Sequence, residues 1–350
     1  MPVPPGSRVP FDLGRDSVSS AAHPAPPAAQ QQPWPPEDGT YYYTPALPPS
    51  EFRERKWRHI ALLALTVVTT TVVGMEHYAG FALDFGADAQ GLDDQLSSPL
   101  FYLRGLWYSL TVLAILGCHE MGHYAFCRYY RVNASLPYFL PAPLPLTGTL
   151  GAFIKIRSRI PSKIALFDIG IAGPIAGFIV AVPALFVGLS LSRVVAVPDN
   201  MTGLELGEPL LFRMVAYLVL GDIPDGSTIN MHPMAFAAWF GLLATALNLF
   251  PVGQLDGGHI SYAVLGRRST WVTLGMVIVA IALTAISWSW LTWTGLLILM
   301  LFIVGPHHPP TLNDQVPLDR ARLWLAALAL IILVLCFTPA PIEPFVTGGR

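Results

Sequence analysis

The residues best equipped for chemistry lie in Gly117-Cys-His-Glu-Met-Gly-His123. In a helix, His119 and His123 fall one turn apart on the same face, so both imidazoles can aim a nitrogen at one zinc ion. Glu120 stands beside the first of them, where a carboxylate can take a proton from a water attacking a carbonyl and pass it to the leaving amine. A catalytic zinc centre usually takes three protein ligands. Cys127 shares the His123 face but lies about 12 Å along the axis from His119, beyond the reach of a common metal with bonds of about 2 Å. Asp256, in Asn248-Leu-Phe-Pro-Val-Gly-Gln-Leu-Asp-Gly-Gly-His259, is the better third ligand. Pro251, Gly253 and Gly257-Gly258 break a helix there, and the break lets a carboxylate fold back toward the histidines. Taken alone, an aspartate in such a place is more often a helix-terminal or solvated group.

The elements that must position these residues are apolar. Of 350 residues 53% are hydrophobic and only 12% charged, with a mean hydropathy of +0.53. A soluble domain carries about 25% charged residues, so the composition excludes a water-soluble globular enzyme and points to an all-α polytopic membrane protein. A net charge of −2 provides no basic surplus for a nucleic acid. Cys118, Cys127 and Cys336 form no CxxC pair or even framework and read as packed free thiols. Seven spans are expected, near 60–76, 105–127, 164–190, 233–252, 270–287, 291–305 and 323–338. The apolar run 271–305 is too long for one crossing, and Ser287-Trp-Ser-Trp-Leu-Thr-Trp293 provides an interfacial turn for a hairpin. Residues 209–221 are too short to span.

The chain divides into a Pro-rich disordered cytoplasmic tail (1–58), a first span with its outer loop (59–99), a catalytic membrane core (100–268) and C-terminal spans (269–350). The first 50 residues hold 13 of the 33 prolines and nothing like a signal peptide. Orientation follows from positive charge, which short loops retain in the cytoplasm. With the N-terminus inside, 16 of the 20 Lys and Arg residues fall on the inner side. That places the C-terminus outside. Two histidines and a glutamate within an apolar span are costly, at least about 2.5 kcal/mol for an ionisable group at the centre, and such groups mark function.

HExxH inside one apolar span, followed by Asn-x-x-Pro-x-x-x-Leu-Asp-Gly at the end of a later one, resembles the site-2 protease family of intramembrane zinc metalloproteases. The resemblance covers roughly residues 100–268. It implies one zinc ion per chain held by His119, His123 and Asp256, with Glu120 as general base. Asn248 would hold the substrate backbone or polarise its carbonyl. The family commonly has proline two residues after the motif proline, where this chain has Gly253, a departure that alters the bend and leaves the ligands in place. Residues 191–232 are too few for an inserted PDZ domain, so the chain looks most like the PDZ-free cyanobacterial and plastid branch, with a bacterial cytoplasmic membrane as its expected location.

Between the second and third spans four prolines forbid a helix across 136–147, and Gly148–Ile156 reads as a strand, giving a re-entrant loop or β-hairpin. Its exposed edge could pair with an unwound substrate, Gly148 and Gly151 admitting the backbone closely. A loop that merely plugs the bundle fits equally well. Gly170, Gly173 and Gly177 have the spacing of close helix packing. Asp168 reads as an interfacial carboxylate or a partner for a histidine, while His259, His307 and His308 match no further metal pattern. Intramembrane proteolysis of a transmembrane-helix protein is the leading function. A metal transporter has no need of a glutamate beside the first histidine, and the complete ligand and base set argues against a silent scaffold.

Overall fold

The computed structural model describes residues 55–83, 99–197 and 202–346. Most of the proline-rich tail, the acidic loop 84–98 and the last four residues lie outside that range, together with the expectations placed on them. Helices α1 (Lys56–Ala82), α2 (Pro99–Arg104) and α3 (Leu106–Tyr129) are followed by the strands β1 (Tyr138–Pro141) and β2 (Thr149–Phe153). After α4 (Lys163–Ser190) come β3 (Arg193–Ala196), β4 (Thr202–Leu206), α5 (Leu210–Leu220) and β5 (Ser227–Asn230). The chain continues through α6 (Pro233–Leu249), α7 (Asp256–Leu265), α8 (Ser269–Leu283), α9 (Ser289–Val304), α10 (Arg320–Cys336) and β6 (Ile342–Val346).

By length and composition, four helical stretches can cross a membrane: 56–82, 100–129, 163–190 and 256–283. The helices Leu210–Leu220, Pro233–Leu249 and Ser289–Ile303 are apolar but shorter. The last of the four stretches does not run straight. Thr273 Oγ1 lies 3.4 Å from both Gly253 N and Pro251 O, whereas 17 residues of continuous helix from Asp256 would carry it about 25 Å away. The chain therefore reverses at Gly266–Arg268, and α8 packs back along α7 as the second limb of a helical hairpin.

Helix α4 is the centre of the bundle. Its residues Ala165–Pro174 are buried without interruption, and it packs against α3, α5, α6 and α7. Ser162 caps it, accepting from Ala165 N–H. Backbones approach most closely where side chains vanish. A Cβ on Gly74 of α1 would meet Gly105 O at 2.2 Å, and one on Gly122 of α3 would meet Ala172 O at 2.5 Å. Beside the first crossing Thr70 and Ser109 exchange a buried hydrogen bond of 2.7 Å. Cys127 and Cys336 are buried free thiols, as their apolar setting suggests, while Cys118 is exposed on α3.

Strands β1 and β2 form an antiparallel hairpin with Tyr138 opposite Phe153 and Pro141 opposite Thr149. It lies lengthwise on α1: His59 Nδ1 meets Pro137 O at its base, and His77 Nε2 meets Leu146 O at its tip. Those histidines are separated by about 27 Å of helix. At the Ala82 end of α1, Asn230 donates to Phe81 O, β3 pairs with β5, and β4 pairs with β6. The loops 130–135, 155–162 and 306–319 gather at the opposite end, where Leu312 and Asn313 donate to Ile160 and Pro161 carbonyls. Lys56 and the final strand thus lie at opposite ends of the bundle.

Candidate metal centre

His119 and His123 arise from the inner face of α3, both buried, with Glu120 buried beside them. Asp256 is the first residue of α7, set there by a tight return of the chain after α6. A Cβ on Gly257 would stand 2.0 Å from Leu249 O, and one on Gly258 would stand 2.3 Å from Gly253 O, so only glycine allows this fold. Gly253 itself has φ +55°, a left-handed conformation that the fixed φ of proline cannot adopt. The departure from the common family pattern is therefore matched by a different local bend, and Asp256 still reaches the histidines.

The side chains converge. Asp256 Oδ2 lies 3.1 Å from His119 Nε2, Asp256 Oδ1 lies 3.3 Å from His123 Nε2, and the two Nε2 atoms are 3.1 Å apart. Ligand atoms of all three residues fall within 4.8 Å of one another. His123 Nδ1 donates to Ile169 O at 2.7 Å, which leaves the Nε2 lone pair of the neutral ring facing Asp256 and His119. Two imidazole nitrogens and a carboxylate oxygen pointing at one another repel unless a cation or a proton lies among them. The set fits zinc, which takes N and O donors at about 2.0–2.2 Å and keeps a fourth position for water in catalytic sites. Asn248, on the last turn of α6, places Nδ2 3.4 Å from His119 Nε2. The backbone N–H of Ile154, just beyond β2, faces the Glu120 carboxylate.

The structure thus assembles His119, Glu120, His123, Asn248 and Asp256, residues up to 137 positions apart. Gly151 lies in the open, with φ +102° and nothing near its missing Cβ. Gly148 is elsewhere, buried against Thr69 and Thr70 of α1, where a Cβ would be 2.8 Å from backbone atoms. Asp168 does not touch a histidine. It binds Arg322 through two hydrogen bonds, of 2.8 and 2.6 Å, and accepts from the Tyr130 hydroxyl. Burial, reinforced by that carboxylate, pushes the Tyr130 hydroxyl up to about 12.

Sequence reasoning missed the contact made by Gly173. It packs against a candidate ligand, since a Cβ there would lie 2.1 Å from His123 Nε2. Its spacing from Gly170 and Gly177 was the available signal, although that pattern does not distinguish a packed helix from a packed imidazole. The pair His259 and His308 was also unassigned. His308 Nδ1–H donates to Pro309 O, so its Nε2 accepts from His259 Nδ1–H at 2.7 Å. This bond ties the 306–314 loop to α7, as does the Tyr262 hydroxyl donating to Asp314.

A cleft of about 1010 Å³ opens beside the centre between the 153–160 segment and the 308–311 loop. Two metal-directed histidines, a carboxylate from a second helix and a buried glutamate at the edge of a hairpin define a metallopeptidase-like centre inside a helical bundle. The comparisons with known proteins agree. Residues 107–286, just over half of the chain, match peptidase family M50, and the chain belongs to that family, the site-2 proteases. It is 33% identical to the probable zinc metalloprotease EGY1, chloroplastic, of Arabidopsis thaliana, over 65% of this chain and 42% of that protein. Against probable zinc metalloprotease EGY2, chloroplastic, of Oryza sativa subsp. japonica the identity is 29%, over 72% of this chain and 47% of that protein. Against the EGY3 protein of the same plant it is 29%, over 80% and 48%. The chain spans less than half the length of these curated relatives. No solved structure matches it. Zinc is the metal expected at the site. The relatives are named as chloroplastic, so a bacterial cytoplasmic membrane finds no support in them.

Proposed function

We propose that this chain is an intramembrane zinc endopeptidase that hydrolyses peptide bonds in or beside the transmembrane segments of membrane-anchored proteins. The observation that carries the reading is the convergence of His119, His123 and Asp256 with Glu120 alongside, the two histidines and the glutamate standing on a helix long and apolar enough for a bilayer. Bound by the three ligands, zinc would supply a Lewis acid that acidifies water and polarises a carbonyl. Glu120, faced by the Ile154 N–H, takes the proton of the attacking water and returns it to the departing amine. Asn248 is placed to donate its amide N–H to the substrate carbonyl or backbone. The open edge from Gly151 to Ile156 is placed to pair with an unwound substrate, whereas Gly148 secures the hairpin to α1. A transport site would give Glu120 no task.

The bilayer arrangement forms part of the same proposal. The chain crosses seven times, the hairpin enters the membrane without crossing it, and the site lies nearer the cytoplasmic side. The two gathered ends of the bundle support this, because Lys56, Arg128, Arg131, Lys155, Arg159, Lys163, Arg267 and Arg268 collect at one end and the final strand lies at the other. The deciding experiment is cleavage of a generic transmembrane peptide by the purified full chain with and without a zinc chelator. Chelator-sensitive cleavage restored by zinc is expected, and cleavage indifferent to the chelator would overturn the reading.

A further inference from the structure

We propose that the cleft beside the metal centre selects substrates whose extended cytoplasmic flank is acidic. The inference rests on the peptidase reading above and names the substrate class for that site. Its first support is the backbone. Lys155 and Arg157 direct their main-chain groups toward 133–135: Lys155 N–H donates to Ser135 Oγ, Ser135 N–H to Lys155 O, and Arg157 N–H to Asn133 O. Ile154 and Ile156, alternating with them, therefore turn theirs the other way, and the Ile154 N–H reaches Glu120. A strand added on that edge has one end at the general base. Its other end runs toward Arg159 and the 309–311 loop.

The second support is charge. Lys155 and Arg159 line the cleft and are exposed, and among the described residues lining it there is no aspartate or glutamate. Outside the metal centre the nearby carboxylates are already engaged: Asp314 with Thr311 and Tyr262, Asp168 with Arg322 and Tyr130. Among the described residues neither Lys155 nor Arg159 has a carboxylate partner. Positive charge on a cytoplasmic loop is ordinary, but here it lines the cleft that the free edge borders, and it meets a flank that on most membrane proteins is itself basic. From Ile154 to Arg159 an extended chain covers roughly 15 Å, so the favoured acidic residues lie about one to five positions from the cleaved bond.

The test uses single-span fusion substrates that differ only in a five-residue cytoplasmic flank, either Asp/Glu, Asn/Gln or Lys/Arg, cleaved by the purified zinc-loaded full chain in neutral-lipid vesicles. The acidic flank should exceed the basic one in kcat/KM by roughly 3- to 10-fold, the size expected of two partly exposed ion pairs, and the ratio should shrink in high salt. Reversing both charges with Lys155→Glu and Arg159→Glu should invert the order while zinc content stays the same. Equal cleavage of all flanks, or an order unaffected by the reversal, overturns the inference and leaves the peptidase reading intact. So does a reversed-charge variant that slows every substrate alike and does so only when anionic lipid is present, since the two residues would then bind headgroups. If the wild type cleaves no flank, the peptidase reading fails. Photo-crosslinking of the same substrates to Glu120→Gln protein then decides the charge preference without turnover, and indifference there refutes it.

Discussion

A Cβ at position 173 and the ring of His123 cannot both occupy the space they share: the built atom would be 2.1 Å from Nε2 and 2.4 Å from Cε1. Gly173→Ala should therefore displace the imidazole and cut zinc affinity or cleavage roughly 10- to 100-fold, the scale on which supporting groups around metal ligands act. Gly177→Ala should be milder, because its Cβ would meet His119 Cβ at 3.2 Å. Zinc content by mass spectrometry separates the two, and full occupancy in a folded Gly173→Ala protein would show that α4 can retreat.

Proton transfer and metal binding should come apart in two variants. Glu120→Gln keeps the shape of the side chain but loses the proton acceptor, so zinc should stay while cleavage falls at least about 100-fold. Asp256→Ala removes a ligand and should lose metal and activity together. Turnover by Glu120→Gln comparable to wild type would remove the glutamate from the mechanism.

Proline along the hairpin edge should act differently at neighbouring positions. At Ile154 it deletes the N–H that faces Glu120 and should lower kcat with zinc retained, whereas Ile154→Ser, which keeps the N–H, should be mild. Ala152 lies opposite Phe139 within the ladder, and Ala152→Pro should raise KM through the strand itself. Normal steady-state constants for both proline variants would reduce the hairpin to a plug.

Arg322→Leu should leave the buried Asp168 carboxylate with Tyr130 alone and destabilise the protein by roughly 1–3 kcal/mol. Adding Asp168→Asn should recover part of that loss. Thermal unfolding in detergent reports it, and zinc content should not change, since neither residue touches the histidines.

Single cysteines in a background lacking Cys118, Cys127 and Cys336 should report the two ends of the bundle. Positions 158 and 307 should label from the cytoplasmic side, and positions 225 and 344, all four exposed, from the opposite side. Labelling of 344 from the cytoplasm would remove one crossing and leave the metal centre standing.

The helical character and the histidine pair were legible because hydropathy and a four-residue histidine spacing are local properties. Asp256 stood out only in combination, as part of a motif that follows HExxH, because helix breakers alone leave an aspartate more often solvated. What escaped was pairwise and distant. Arg322 lies 154 residues from Asp168, and no periodicity connects them. The same holds for β4 and β6, and for His308 and His259. Gly148 and Gly151 looked alike in sequence, yet one is packed on α1 and the other is open, because their surroundings come from another helix.

The separation of the ligands also bears on biogenesis. His119 and His123 enter the membrane on α3, but the carboxylate that completes the centre follows 137 residues behind His119. At about 5–20 residues per second of synthesis, that delay is on the order of 10 s. Through that interval the nascent chain carries Glu120 and two imidazoles past the insertion machinery with the candidate metal site incomplete, so on the proposed function the peptidase stays latent until its own later helices arrive.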